Sequence, residues 1–219
     1  MWSDAAAMDL HLLLVVVEVV GTLAFFAAGL ITASRKRLDA VGSFAVAGVS
    51  AFGGGTLRDL LLDRRPFFWV ENAHWLWWMM GLTLLAMRWL RSHHVASTQR
   101  AIQWPDTLGL GLFAAIGTQI ALQAGMPAII AALMGTMTAV CGGVVRDIAC
   151  AEVPAAFNDH QPYAVCAFAG GWAVIAADAL GWQPEAGLAA GVGVACGLRV
   201  WALWRGVRLA PWRASDDAA

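Results

Sequence analysis

The sequence predicts an all-α integral membrane protein with seven transmembrane helices, arranged as two inverted three-helix repeats plus one C-terminal helix. Three observations predict this class. Of the 219 residues, 60% are apolar and 13% are charged, whereas a soluble domain is about half apolar and roughly a quarter charged. Seven stretches are long and apolar enough to cross a bilayer. One charged motif also occurs twice along the chain.

The seven predicted spans are runs of about 20 mostly apolar residues, because a backbone in lipid must satisfy its hydrogen bonds within a helix. They cover approximately residues 10–32, 40–62, 75–90, 105–123, 127–151, 163–182 and 185–204. Tryptophans lie at the edges of several spans, as side chains that anchor helices at the interface do. Arg88 and Arg199 shorten the charge-free runs of the third and seventh spans. We expect both side chains to snorkel to the interface.

The basic residues predict the orientation of the chain. The first, third and fifth connections and the C-terminus share one side of the membrane, which holds Arg35, Lys36, Arg37, Arg88, Arg91, Arg100, Arg199, Arg205, Arg208 and Arg213. Outside the repeated motif, the other side holds only Arg64 and Arg65. Since cytoplasmic loops carry an excess of Lys and Arg, we expect an external N-terminus and a cytoplasmic C-terminus.

Composition and motifs exclude other classes of protein. The net charge is −1 and Lys36 is the only lysine, so the chain offers no basic face for nucleic acid. The four cysteines lack the spacing of a disulfide framework or a zinc site, and we expect neither a metal nor a cofactor. The sequence contains no GxSxG, HExxH, P-loop or GxGxxG string, so we expect no enzyme activity.

An internal duplication with an offset of 88 residues organises the chain. The string GGTLRD at residues 54–59 recurs as GGVVRD at 142–147, and the same shift pairs Glu18 with Asp106. Each copy holds three spans, an odd number, so the second copy must enter the membrane from the opposite side. The predicted units are a first repeat, a second repeat, a seventh helix and a cytoplasmic tail, at residues 1–92, 105–182, 185–205 and 206–219.

The repeated motif combines glycines with buried charges. Glycines lower the cost of bending a helix, so we expect kinks or unwound turns at Gly53, Gly54, Gly55, Gly142 and Gly143. The charges that follow, Arg58, Asp59, Arg146 and Asp147, are costly in a membrane and tend to face a bundle interior or an aqueous path. Neighbouring helical positions point about 100° apart. We therefore expect pairs across the repeats, Arg58 with Asp147 and Arg146 with Asp59. The alternative is a purely structural role for these glycines and charges.

Three further polar residues are candidates for the same site. Glu18 lies inside the first span, where a carboxylate is either functional or protonated and hydrogen-bonded to a neighbour. Ser50 and Thr138 either line a polar path or hydrogen-bond to their own backbone. The pair His93-His94 lies in a connection, where we expect it to be solvated.

The string FGGGTLRDLLLDRRPFFWV at residues 52–70, followed by the second motif at 142–147, resembles the bacterial trimeric intracellular cation (TRIC) channel family, whose duplicated unit is also called the glycine transporter domain. The resemblance implies a homotrimer in the lipid bilayer of the bacterial inner (plasma) membrane. It implies one pore per protomer between the repeats, permeable to potassium and, less selectively, to sodium. It also implies pore-kink roles for the motif glycines and gating or pore-stabilising roles for Arg58, Asp59, Arg146 and Asp147. Cys141 stands where a third glycine would match Gly53, which predicts a weaker second kink.

Two other functions remain open at this stage. A secondary carrier for glycine or another small amino acid would use half-helix ends at broken helices to bind a carboxylate and an ammonium group. A channel would use the same features to dehydrate a monovalent cation. A membrane scaffold would transport nothing.

Overall fold

The computed structural model describes residues 2–92, 99–158 and 161–210. All regular structure in these ranges is helical, and it comprises α1 (Trp2–Arg35), α2 (Ala40–Leu61), α3 (Phe68–Glu71), α4 (His74–Ser92), α5 (Gln99–Gln123), α6 (Ala128–Ala149), α7 (Ala155–Asn158), α8 (Ala164–Ala179) and α9 (Pro184–Arg205). The predicted all-α class is confirmed. The pair His93-His94 and the end of the predicted tail, from residue 211, lie outside the described residues.

Among the described residues, four helices are long and apolar enough to cross a membrane, namely α1 from residue 12, α2, α6 and α9. The apolar helix α8 has 16 residues and is shorter. The helices at the third and fourth predicted spans, α4 and α5, do not reach the same hydropathy. Helix α5 is surrounded by α1, α6, α8 and α9, so its polar residues Asp106, Thr118 and Gln119 are buried against protein.

The one-turn helices α3 and α7 were not predicted from the sequence. Each follows a proline, Pro66 or Pro154, and these prolines are themselves 88 residues apart. Their equivalent positions make them a further element of the repeat. Within the described residues, helix α4 packs mainly against α1 and α2. Helix α8, its counterpart in the second repeat, packs against α5, α6 and α9.

The equivalent helices of the two repeats cross each other in opposite directions. The backbone of Gly54 lies against the Thr138 carbonyl, and the backbone of Gly142 lies against the Ser50 carbonyl. The 88-residue shift converts each of these contacts into the other. The later position on α2 meets the earlier position on α6, so the two helices run antiparallel. Helices α1 and α5 repeat the pattern, since Gly21 meets the Phe113 ring and Gly109 meets the Phe25 ring.

Two of the motif glycines, Gly54 and Gly142, allow a close approach of the helices. Both α2 and α6 are continuous through them, so no turn is unwound there, and a kink within the continuous helix stays a prediction. A Cβ on Gly54 would overlap the Thr138 carbonyl oxygen, and one on Gly142 would overlap the Ser50 carbonyl oxygen. Small residues allow helix backbones to pack this closely in membranes.

Candidate functional site

A buried arginine at the end of α2 is held between two carboxylates. Arg58 Nη2 donates to Glu18 Oε1 on α1 at 2.6 Å, and Arg58 Nε donates to Asp59 Oδ1 at 2.8 Å. Arg58 is 1% exposed. The half-exposed Arg64 reaches Asp59 at 3.4 Å. We refer to Glu18, Arg58 and Asp59 as the first triad.

A second triad repeats this geometry at the end of α6. Arg146 Nη1 donates to Asp106 Oδ1 on α5 at 2.9 Å, and Arg146 Nε donates to Asp147 Oδ1 at 2.9 Å. The other carboxylate oxygen of Asp147 accepts the backbone N–H of Ala155 at 3.0 Å, which fixes the start of α7. Each member of this triad lies 88 residues after its counterpart in the first triad.

These ion pairs show that the predicted cross-repeat pairing of Arg58 with Asp147, and of Arg146 with Asp59, is wrong. The prediction considered only the direction of the Cβ atoms along the helix. The arginine side chain is long enough for its Nε to fold back onto the carboxylate of the next residue, while the tip of the guanidinium reaches the neighbouring helix. The available signal for the true partners is the duplication itself. Both repeats have a carboxylate 40 residues before the arginine, Glu18 in the first and Asp106 in the second.

The charges of each triad leave an excess of one carboxylate. Two acidic side chains share one guanidinium, so an ionised triad carries a formal charge of −1. Hydrogen bonds between charged partners are strong, and they offset part of the cost of removing the charges from water. Each triad taken alone is therefore net negative despite its arginine.

The second triad opens into a cavity of about 220 Å³. Helices α1, α5, α6, α7 and α9 contribute to its wall, together with the loop before α8. Its polar lining includes Asp106, Arg146, Asp147, Tyr163 and Arg199. An ion or a small polar molecule that enters this cavity reaches the charged groups directly.

The first triad is covered by aromatic side chains. The space beside it measures about 10 Å³ and is lined by Phe52, Phe68 and Trp69, among others. Trp69 Nε1 donates to Thr56 Oγ1 at 3.1 Å, which fixes the indole over the end of α2. These side chains leave little space beside the first triad.

The sequence explains why one end is closed and the other open. The shift of 88 residues aligns the run Phe67-Phe68-Trp69 with the run Ala155-Ala156-Phe157. Ala155 and Ala156 line the open cavity, where the first repeat has bulky rings. Two small side chains thus leave the second triad accessible.

The remaining predicted site residues lie either beside the triads or at the crossing of α2 and α6. A Cβ on Gly55 would lie 3.7 Å from the Glu18 carboxylate, and one on Gly143 would lie 3.7 Å from Asp106, so these glycines border the triads. Ser50 and Thr138 lie at the crossing of α2 and α6, together with Gly53, Gly54 and Gly142. The Thr138 hydroxyl donates to the carbonyl of Met134 in its own helix at 2.7 Å.

Sequence reasoning missed Arg199. It was expected to snorkel to the interface from the end of α9, but its side chain is buried, with 5% exposure. Arg199 Nη1 donates to the Pro162 carbonyl at 3.1 Å, and the guanidinium lies 5.0 Å from the centroid of the Tyr163 ring. A charged residue inside an apolar helix was the available signal.

Comparison with known families identifies the repeat. The family model described as "Glycine transporter" matches residues 15–91 and 103–179. The second match begins and ends 88 residues after the first, so the predicted duplication is confirmed. A UPF0126 membrane protein of Vibrio cholerae is 33% identical over 82% of this chain and 74% of its own length. The UPF0126 inner membrane protein YadS of Escherichia coli K12 is 34% identical over 70% of this chain and 73% of its own length.

Solved structures agree with the predicted family. The TRIC trimeric intracellular cation channel orthologue from Rhodobacter sphaeroides superimposes with a TM-score of 0.82 and 34% identity, over 89% of this chain and 99% of that one. The chain belongs to the TRIC family. A further structure, solved in a study of conductance through TRIC cation channels, has a TM-score of 0.78 and 26% identity, over 91% of this chain and 97% of that one. This TRIC protein is a multi-pass membrane protein, and its relatives point to a channel or transporter rather than an enzyme.

Proposed function

We propose that this TRIC protein is a homotrimeric channel for monovalent cations in the bacterial inner membrane, permeable to potassium and sodium. Each protomer would contain one pore, between two inverted three-helix repeats, with α9 as the seventh transmembrane helix. The observation that carries the proposal is the open cavity of about 220 Å³ that leads to the buried second triad. A polar cavity that reaches buried carboxylates inside a membrane protein is suited to admit cations.

The antiparallel crossing of α2 and α6 supports a path between the repeats. Each triad lies about one turn beyond the crossing glycine of its helix, at Arg58 after Gly54 and at Arg146 after Gly142. Because the two helices run in opposite directions, the triads flank the crossing on opposite sides. We propose that ions pass from one triad to the other along this seam.

The charges of the two triads support selectivity for cations. Arginines in a cation path would repel the permeant ion if they stood alone. Here each guanidinium is bracketed by two carboxylates at 2.6–2.9 Å. We propose that Arg58, Asp59, Arg146 and Asp147 act as pore or gating charges, completed by Glu18 and Asp106.

The orientation proposed from the basic residues places the open cavity and the covered first triad on opposite sides of the membrane. With an external N-terminus, the end of α1 and the end of α6 are cytoplasmic. Lys36 and Glu152, which follow these helices, form an ion pair at 2.6 Å and so lie at the same end. The open cavity would then face the cytoplasm and the aromatic cover over the first triad would face outward.

A carrier for glycine is not favoured by these observations. That hypothesis depends on broken helices whose ends bind a zwitterion, and both α2 and α6 are continuous. The relatives of known structure are described as cation channels and as a trimeric orthologue. These descriptions support the trimer and the cation in the proposal.

Single-channel recording tests the proposed function. We expect the purified protein in planar bilayers under a KCl gradient to give unitary currents that reverse near the potassium equilibrium potential. Asp106→Asn removes one negative charge beside the cavity and should lower the preference for potassium over chloride. Asp178→Asn changes an exposed residue near the end of α8 and should leave that preference unchanged. Silence of the wild-type protein at all voltages, with glycine counterflow in proteoliposomes, would contradict a channel.

A further inference from the structure

Three arginines are buried in the described part of the chain, and Arg199 differs from the other two. Arg58 and Arg146 are each bracketed by carboxylates, whereas the structure shows no carboxylate at ion-pair distance from Arg199 within the described residues. Its Nη1 donates to a neutral carbonyl, that of Pro162, and its Nε has no hydrogen-bond partner there. A neutral acceptor satisfies a hydrogen bond of the guanidinium, but it does not neutralise the charge as a directly bonded carboxylate does.

Arg199 also makes the two ends of the molecule electrostatically different. It comes from α9, which lies beyond the duplicated segments at 15–91 and 103–179. Because α9 lies outside the duplication, no residue of the first repeat corresponds to Arg199, and at the first triad it is the half-exposed Arg64 that reaches Asp59. Arg199 lines the same cavity as the second triad. Its positive charge offsets the excess carboxylate of that triad, and these four groups together have a formal charge of zero. Arg35 and Glu152, which also line the cavity, have opposite formal charges and do not change this sum.

We propose that Arg199 is a conductance-determining residue, whose fixed positive charge lowers the concentration of cations in the open cavity. This inference rests on the proposed channel function. A unit charge within several ångströms of a pathway changes local ion occupancy substantially when water is partly excluded. The effect weakens as salt shortens the screening length. Arg199 would therefore limit conductance at low salt and contribute little at high salt.

The test compares single-channel conductance in symmetrical KCl at roughly 20 mM and 1 M, where the screening lengths differ severalfold. We expect Arg199→Gln to raise the low-salt conductance about twofold to tenfold and the high-salt conductance by less than about twofold. Arg199→Lys keeps the charge and should remain near wild type. Arg205→Gln, which removes an exposed charge on the same helix, should match wild type at both salt concentrations.

The outcomes separate this inference from the proposed function. If the wild-type protein conducts and the low-salt conductance of Arg199→Gln is unchanged, the inference is wrong and the channel stands. If Arg199→Gln and Arg199→Lys change conductance alike at both salt concentrations, Arg199 acts through structure, which also overturns the inference. A silent wild-type protein overturns both. If Arg199→Gln does not fold, Arg199→Met keeps an apolar stem beside Tyr163 and should show the same salt-dependent rise.

Discussion

Replacing Arg58 by methionine lowers the free energy of unfolding by about 3–5 kcal/mol, the typical cost of removing one partner from a buried ion pair. The guanidinium is 1% exposed and neutralises Glu18 and Asp59 at 2.6 and 2.8 Å. Without it, two carboxylates remain buried close together. Denaturation of the purified protein in detergent, followed by tryptophan fluorescence, measures the loss.

Two matched variants separate the charge from the loss of packing. Arg64→Met removes a half-exposed arginine that reaches the same Asp59 carboxylate at 3.4 Å, and it should cost less than about 1 kcal/mol. Combining Arg58→Met with Glu18→Gln and Asp59→Asn removes all three charges and should recover most of the stability. Equal stability of the Arg58→Met and Arg64→Met proteins would refute the first triad as a buried charge cluster.

Alanine at Gly54 or at Gly142 pushes α2 and α6 apart. The added Cβ would overlap the carbonyl oxygen of Thr138 or of Ser50, and a helix backbone yields less readily than a side chain. Overpacking of this kind costs about 1–3 kcal/mol or more. We expect a lower unfolding midpoint in detergent for both variants, and a similar loss for each because the two contacts are equivalent.

Gly48→Ala is the control for these glycine substitutions. Gly48 lies in the same helix, and a Cβ there would meet nothing within 4 Å. Because glycine inside a helix is less favourable than alanine by roughly 0.5–1 kcal/mol, Gly48→Ala should be neutral or stabilising. A Gly54→Ala protein as stable as Gly48→Ala would rule out the close crossing.

The duplication allowed much of this site to be predicted. Two copies of a Gly-Gly-x-x-Arg-Asp string in an apolar chain identified the charged residues and their equivalence. The partners of the arginines were mispredicted because helix periodicity gives the direction of a Cβ and not the reach of a guanidinium. The sequence analysis assigned the motif glycines to bending, and it did not predict that Gly54 and Gly142 let the backbones of α2 and α6 meet.

Features that the two repeats do not share were harder to predict. Arg199 follows an apolar run near the end of its helix, where a snorkelling side chain and a buried one have the same sequence pattern. Its burial depends on α9 packing against α5 and α8, a tertiary contact that periodicity does not specify. The aromatic closure of one end depends on Trp69 reaching Thr56 from a one-turn helix, a local structure too short to give a periodic signal.

Thiol modification inside the cavity is the most direct test of a cation path at the second triad. Val144 lines the cavity on α6, whereas Ala149 is exposed on the same helix outside the cavity lining. The test introduces each as cysteine into a conducting protein whose four native cysteines are replaced by serine or alanine. The proposed path predicts that a cationic methanethiosulfonate reagent reduces the single-channel current of Val144→Cys and leaves that of Ala149→Cys unchanged. A Val144→Cys protein that is fully modified by mass and still conducts as before would show that ions take another route.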